Sequence, residues 1–158
     1  MKKPFRFLNP GRLADDDLEL VLTGTHRGDP ARKRVPWYEF VMRRVGRKQR
    51  AGSIRLRIGS IRRLRYAGHI GYDVNKRYRG NRYAARACRL LLPLAGAHGL
   101  RAVWITCPPS NMASRRTCEL VGGKYVETVR VPKDHDMYGD GIHRVRRYRI
   151  DLSKVESL

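Results

Sequence analysis

The stretch that most restricts the fold is GHIGYDVNKRYRGNRYAARACRLLLPLA, Gly68 to Ala95, because the side-chain period changes inside it. Tyr66 to Val74 reads as a strand, and its glycines at 68 and 71 suit a bulge or a close approach of another backbone. From Ala84 onward apolar residues recur three and four apart, at Ala87, Cys88, Leu91, Leu92 and Ala95, which is helical spacing. Pro93 should kink that helix or leave its last turn irregular, and Gly96 and Gly99 should end it. Between strand and helix stands Tyr78-Arg79-Gly80-Asn81-Arg82. The first N–H groups of a helix have no internal acceptor and sit at the positive end of its dipole. Gly80 lets a ligand approach the backbone, and Arg79 and Arg82 add charge. The stretch therefore predicts a cradle for a pyrophosphate-like anion. A glycine-bearing loop before a helix is common, so the surrounding order of elements has to support this reading.

Phe5 to Leu8 alternates and predicts a short strand. Leu13 to Gly28 predicts a helix, with Asp15, Asp16 and Asp17 in its first turn and Leu18, Val21, Leu22 and Thr25 inward. Trp37 to Val45 and Ser53 to Ile61 alternate, and with Tyr66 to Val74 they predict an antiparallel meander. Arg101 to Cys107 is a short apolar run bounded by Gly and Pro, a buried strand. Ser110 to Gly123 predicts a second helix capped by Ser110 or Asn111. Lys124 to Val131 and Arg144 to Leu152 predict two more strands. The expected order is β-α-βββ-α-β-α-β-β in a single domain over 4–153. The fold class is α/β, a central mixed sheet of about seven strands with helices on both faces and a parallel pair at the middle β-α-β step.

The chain has 158 residues and a net charge of +21, from 35 basic and 14 acidic residues. Arg32 to Tyr66 alone holds thirteen basic residues against the single acid Glu39, a local +12 (13 − 1). Such a field favours anionic ligands or nucleic acid. Arginine-rich composition and solvated strand faces account for it equally well. No apolar run is long enough to span a bilayer, and the start carries charge without a hydrophobic leader. Cys88, Cys107 and Cys118 lack metal-ligand spacing and are expected as reduced thiols of a cytoplasmic protein. The acidic turn 132–143, with Asp134, His135, Asp136, Asp140 and His143, loosely suggests a calcium loop, but no Glu closes it and no metal is expected.

Two blocks carry a family resemblance: the stretch quoted above, and VWITCPPSNMASRRTCELVGG, Val103 to Gly123. Together they resemble the acetyl-CoA-binding core of the GNAT superfamily of acyl-CoA N-acyltransferases. The subgroup most similar contains ribosomal-protein N-terminal acetyltransferases. The frame Arg79-Gly80-Asn81-Arg82-Tyr83-Ala84 is similar to the family's pyrophosphate loop. It departs in having Arg82 where the family usually has Gly, and the expectation is that this position is already helical. A second departure is Cys118, where many members carry a tyrosine that protonates the leaving thiolate.

The resemblance implies acetyl-CoA as co-substrate and direct transfer of its acetyl group to an amine. The implied cofactor residues are Ile70, Tyr72 and Val74 beside the pantetheine arm, Arg79, Gly80, Asn81, Arg82, Tyr83 and Ala84 at the diphosphate, and Asn111 and Ser114 on the second helix. An N–H near Tyr72 would hold the thioester oxygen as charge develops. The amine must lose a proton, and His69, Asp73 and Glu39 are the candidate bases, with Glu127 a weaker one. Cys118 or Tyr125 would stand in as the acid. The implied acceptor is a small-molecule amine or a protein N-terminus, and oligomeric state stays open between monomer and homodimer. The alternative is a catalytically weak protein on the same scaffold that binds RNA or the ribosome through the basic meander.

Overall fold

The structure is a computed structural model and describes residues 4–154. Eight strands and three α-helices lie within them. Strands β1 (Leu13–Asp15), β2 (Leu18–His26), β3 (Trp37–Arg44), β4 (Arg50–Arg57) and β5 (Ile70–Val74) form a five-stranded antiparallel meander in that order. Helix α1 (Tyr83–Ala97) follows, then β6 (Ala102–Cys107), α2 (Met112–Leu120), β7 (Lys124–Arg130), the short α3 (Asp136–Gly139) and β8 (Arg144–Asp151). The last three strands make a second antiparallel sheet in the order β6-β8-β7.

Alternation decides which face is buried. Tyr38, Phe40 and Met42 of β3, Ile54 and Leu56 of β4 and Ile70 of β5 point into one core. Ala87, Cys88, Leu91 and Ala95 on α1 meet them, spaced as helix geometry requires. Val103 and Ile105 of β6 and Tyr148 and Ile150 of β8 complete the cluster. Each fully buried Leu, Ile or Phe in it contributes roughly 1.5–3 kcal/mol.

Three expectations are corrected. Residues 13–28 hold no helix: they fold as the β1–β2 hairpin and its extension. Leu18 and Leu20 are both buried with Glu19 between them, so the strand's period of two wins over the weaker three-and-four pattern. Phe5 to Leu8 is not a strand. It is held by aromatic contacts, with Phe7 edge-on to Tyr38 at 5.0 Å and Phe5 stacked on His98 at 5.2 Å, and Leu8 N–H donates to the Tyr38 hydroxyl at 2.7 Å. Finally, no ladder joins β5 to β6, so one expected sheet is two.

The acidic run Asp15 to Asp17 sits at the hairpin turn, with Asp16 in the left-handed region at φ 53°. It still complements the start of a helix, that of α1. Arg86, in the first turn, pairs with Asp15 at 2.9 Å and with Asp17 at 2.7 Å. The buried Tyr83 hydroxyl donates to Asp17 at 2.7 Å and accepts from Arg44 Nε at 2.9 Å. The hairpin, β3 and α1 are thereby fixed to one another beside the loop before α1.

Helix α1 runs unbroken through Pro93, which is exposed. Proline there removes the N–H that would bond to Arg89. Pro93→Ala should therefore stabilise the fold by about 1–3 kcal/mol, read as a raised urea midpoint with unchanged slope.

Candidate active site

The seam between β5 and β6 creates the site. At one end it is closed by His69. Its main-chain N–H donates to Trp104 O at 2.8 Å, and its Nδ1 accepts from Trp104 N–H at 3.0 Å. With Nδ1 accepting, Nε2 carries the proton and bonds Gly59 O at 2.9 Å. Gly68 lets the strands meet so closely: its φ is +73°, and a Cβ there would lie 2.8 Å from Trp104 O.

At the other end the strands part. His69 O accepts from Arg57 N–H at 2.7 Å, and Asn75 N–H donates to Ala51 O at 2.8 Å, so odd-numbered residues bond to β4. In an antiparallel ladder the even ones then turn their main-chain groups to the opposite edge. The backbone N–H and C=O of Ile70, Tyr72 and Val74 face that open edge, where the Val74 carbonyl accepts from Arg79 Nε at 3.2 Å. Buried or half-buried backbone groups of this kind require a partner.

A cleft of about 340 Å³ lies along the opening. The end of β5 lines it with Tyr72, Asp73 and Val74, the following loop with Tyr78, Arg79, Gly80 and Arg82, and α1 with Tyr83 and Ala84. Asn111, Ala113, Ser114 and Thr117 close it from α2. The loop is pinned by Asn81 Nδ2 donating to Tyr78 O at 3.0 Å. Gly80 has φ +92°, with open space where a Cβ would project. The first intrahelical bond of α1 is Arg86 N–H to Arg82 O at 3.0 Å. The N–H groups of Tyr83, Ala84 and Ala85 therefore have no acceptor within the helix. Helix α2 differs: Asn111 Oδ1 caps it by accepting from Ser114 N–H at 3.1 Å.

Of the cofactor residues expected from sequence, Tyr72, Val74, Arg79, Gly80, Arg82, Tyr83, Ala84, Asn111 and Ser114 line this one cleft, whereas Ile70 is buried in the core and Asn81 braces the loop from outside. Arg82 is corrected: it is not helical but left-handed, at φ 58° and ψ 27°, forming the N-cap of α1. The chain turns from loop into helix at this residue, in a conformation that glycine adopts without steric cost. Sequence reasoning missed Tyr78, Ala113 and Thr117. Thr117 was legible, since it lies three residues from Ser114 on one helix face.

The candidate catalytic residues separate. Asp73 lines the cleft and is exposed. His69 does not serve as a base: it is 2% exposed, both ring nitrogens are engaged, and burial lowers its pKa. Glu39 lies on the sheet's outer face, paired with Arg55 at 3.2 Å and accepting from the Trp37 indole at 3.0 Å. Cys118 is fully buried against Cys107, outside the cleft lining, and its hydrogen bond to Cys107 together with burial holds its pKa far up. Glu127 is bound to the buried Arg147, and the Tyr125 hydroxyl pairs with Thr128 at 2.8 Å. Burial also raises the Tyr72 pKa. Among the described residues its hydroxyl has no partner in hydrogen-bond geometry, although the Ser114 and Thr117 side chains lie against it.

The sequence model of the acetyltransferase (GNAT) domain family matches residues 5–124, and the chain belongs to that family. The sequence matches no curated protein. Among solved structures the fold resembles a GNAT-family acetyltransferase from Bacillus anthracis, at 22% identity and TM-score 0.56 over 73% of this chain and 67% of that one. It also resembles RimL, a ribosomal L7/L12 alpha-N-protein acetyltransferase in complex with coenzyme A, at 19% identity and TM-score 0.57 over 73% of this chain and 62% of that one. A third is Mycobacterium smegmatis RimJ in complex with CoA-disulfide, at 18% identity and TM-score 0.58 over 77% and 56%. The chain thus spans less than two-thirds of the length of the RimL and RimJ chains. Among the described residues no helix is long and apolar enough to cross a membrane.

Two outcomes follow from this geometry. Burial holds both His69 and His98 below the ordinary 6.5 in the folded state, so on acidification the unfolded chain takes up protons first. Their contribution to stability is complete above 6.5 and is lost as pH falls from there toward the folded values. Urea midpoints at about pH 7.5 and about pH 5 should show that decline, and His69→Asn, which cannot titrate, should show less of it. Arg82→Gly removes the left-handed strain and should raise stability by about 0.5–1 kcal/mol in thermal unfolding.

Proposed function

We propose that residues 4–153 form one acetyltransferase domain that binds acetyl-CoA in the β5–α1–α2 cleft. It transfers the acetyl group to the amine of an acceptor, a small molecule or a protein N-terminus. One observation carries the reading. The main-chain groups of Ile70, Tyr72 and Val74 face an open edge that runs directly into the uncapped N–H groups of α1. An amide-bearing arm that ends in a diphosphate matches both in sequence along the chain. The residues present fit that co-substrate: Gly80 leaves the cradle open, and Arg79 and Arg82 stand at its lip.

Acetyl-CoA supplies an activated thioester. The Tyr72 main chain holds its carbonyl and, through the N–H, the negative charge that develops there. Asp73, next along β5 and the only candidate carboxylate in the cleft, draws the proton from the attacking ammonium, directly or through one water. Arg79, tied to the Val74 carbonyl, couples the diphosphate loop to the strand that positions the thioester. The likeness to RimL, an alpha-N-protein acetyltransferase, makes a protein N-terminus one acceptor class to test. The three cysteines are free and buried, in keeping with a cytoplasmic setting.

The test is thiol release from acetyl-CoA across amines, N-terminal peptides, polyamines and amino sugars. At least one acceptor should release thiol at a saturable rate. Asp73→Asn should lower kcat about 100-fold or more while calorimetric affinity for acetyl-CoA stays within about threefold. Absence of cofactor binding by the wild-type protein overturns the reading.

A further inference from the structure

The cleft lining itself holds Arg79 and Arg82, and further cations are gathered on the two segments beside it. Four cations come from the loop before α1: Lys76, Arg77, Arg79 and Arg82. Four more come from the β3–β4 turn and the strand ends that flank it: Arg44, Arg47, Lys48 and Arg50. Neither segment, 44–50 or 75–82, contains an acid. None of these eight residues takes part in an ion pair among the described residues, although nine pairs form elsewhere on the chain. Arg43, one residue before the cluster, is paired with Glu19 at 2.8 Å.

The two segments are joined. The Tyr78 hydroxyl donates to Gln49 Oε1 at 3.2 Å, and Asn75 Nδ2 donates to Arg50 O at 2.8 Å. The Arg44 guanidinium lies over the Tyr78 ring at 5.2 Å and bonds the Tyr83 hydroxyl. Tyr78 and Tyr83 both line the cleft. The β3–β4 turn is therefore bonded to the cleft wall, and its cations Arg47, Lys48 and Arg50, which lie outside the cleft lining, are exposed. Such an assembly is held against its own repulsion, which a bound polyanion relieves.

Resting on the cofactor reading above, we propose that this turn is the subsite for the 3′-phosphate of the co-substrate, and that the protein selects coenzyme A over 3′-dephospho-coenzyme A. Coenzyme A carries two separate anionic groups, the diphosphate and the ribose 3′-phosphate. Arg79, Arg82 and the α1 N–H groups serve the first. The turn supplies a second cationic group at the same cleft, held there by its bonds to Tyr78 and Asn75. Lysine and arginine contacts to a dianionic phosphate are the strong, charge-assisted kind.

The experiment is calorimetric titration of coenzyme A and 3′-dephospho-coenzyme A into the wild-type protein and a variant combining Arg47→Ala, Lys48→Ala and Arg50→Ala. Single substitutions replace the combination if it lowers thermal stability. Wild type should bind coenzyme A about tenfold tighter or more. The variant should lose that preference, with its affinity for the dephospho form changed less than about threefold. Equal wild-type affinities, or a preference that survives in the variant, overturn the inference and leave the cleft assignment standing. Binding of neither compound by wild type overturns both. A variant that loses affinity for a single-stranded RNA probe while keeping the preference assigns the cluster to nucleic acid and also overturns it.

Discussion

The site depends on a seam that is fastened at one end only. His69 makes the fastening with its imidazole and its main-chain N–H. One imidazole nitrogen accepts from the backbone of β6, the other donates to Gly59, and its own N–H reaches Trp104. A side chain with both nitrogens committed, buried and held neutral is a hinge pin rather than a proton carrier. Because the pin holds β5 and β6 together at one point, separate ladders can pull them apart beyond it. β5 bonds back to β4, and β6 bonds to β8. The opening exposes an edge of unpaired main chain, normally a liability in a sheet. Here it ends on the start of a helix, so both features serve one elongated ligand.

The loop that completes the cleft is stiffened by bonds made away from its ligand face. Arg79 holds the Val74 carbonyl, Asn81 the Tyr78 carbonyl, and Asn75 two groups of the β4 start. The acids of the β1–β2 turn are drawn to Arg86 and Tyr83, on the first turn of α1. That arrangement neutralises Arg86 while leaving Arg79 and Arg82 without carboxylate partners among the described residues. Loop geometry is thereby fixed by hydrogen bonds to neutral acceptors, and its charge stays available.

Elements with a strong period were legible in the sequence. β3 and β4 alternate cleanly because one face meets α1 and the other meets water, and α1 shows its stripe because it lies across the meander. The cleft was legible for a related reason: its residues come from two contiguous stretches, 72–84 and 111–117, each a strand or loop running into a helix. What escaped depended on partners distant in sequence. Asp15 to Asp17 suit a helix start by composition, and only the position of Arg86, some seventy residues on, shows which helix they complement. The roles of His69 and Glu39 were hidden for the same reason. A histidine pinned by Gly59 and Trp104 and a glutamate held by Trp37 and Arg55 look like free bases until the fold brings those groups up.

Distant partners also decide where the net charge is felt. A chain at +21 has few acids, and two of the meander's are matched to particular arginines. Glu19 takes Arg43, and Glu39 takes Arg55, both on the sheet's outer face. Arg57, beside them and without an acid of its own, is pressed into the sheet, where burial lowers its pKa to about 10 and the Gly68 carbonyl accepts from it at 3.3 Å. Of the cations on both segments that are unpaired among the described residues, Arg79 and Arg82 line the cleft where the open strand edge, the uncapped helix and Gly80 meet. Repulsion within the cluster raises the free energy of the empty protein, and ligand charge recovers it on binding. A polyanion that fits the cleft consequently stabilises the native state beyond what its contacts with the neutral wall provide.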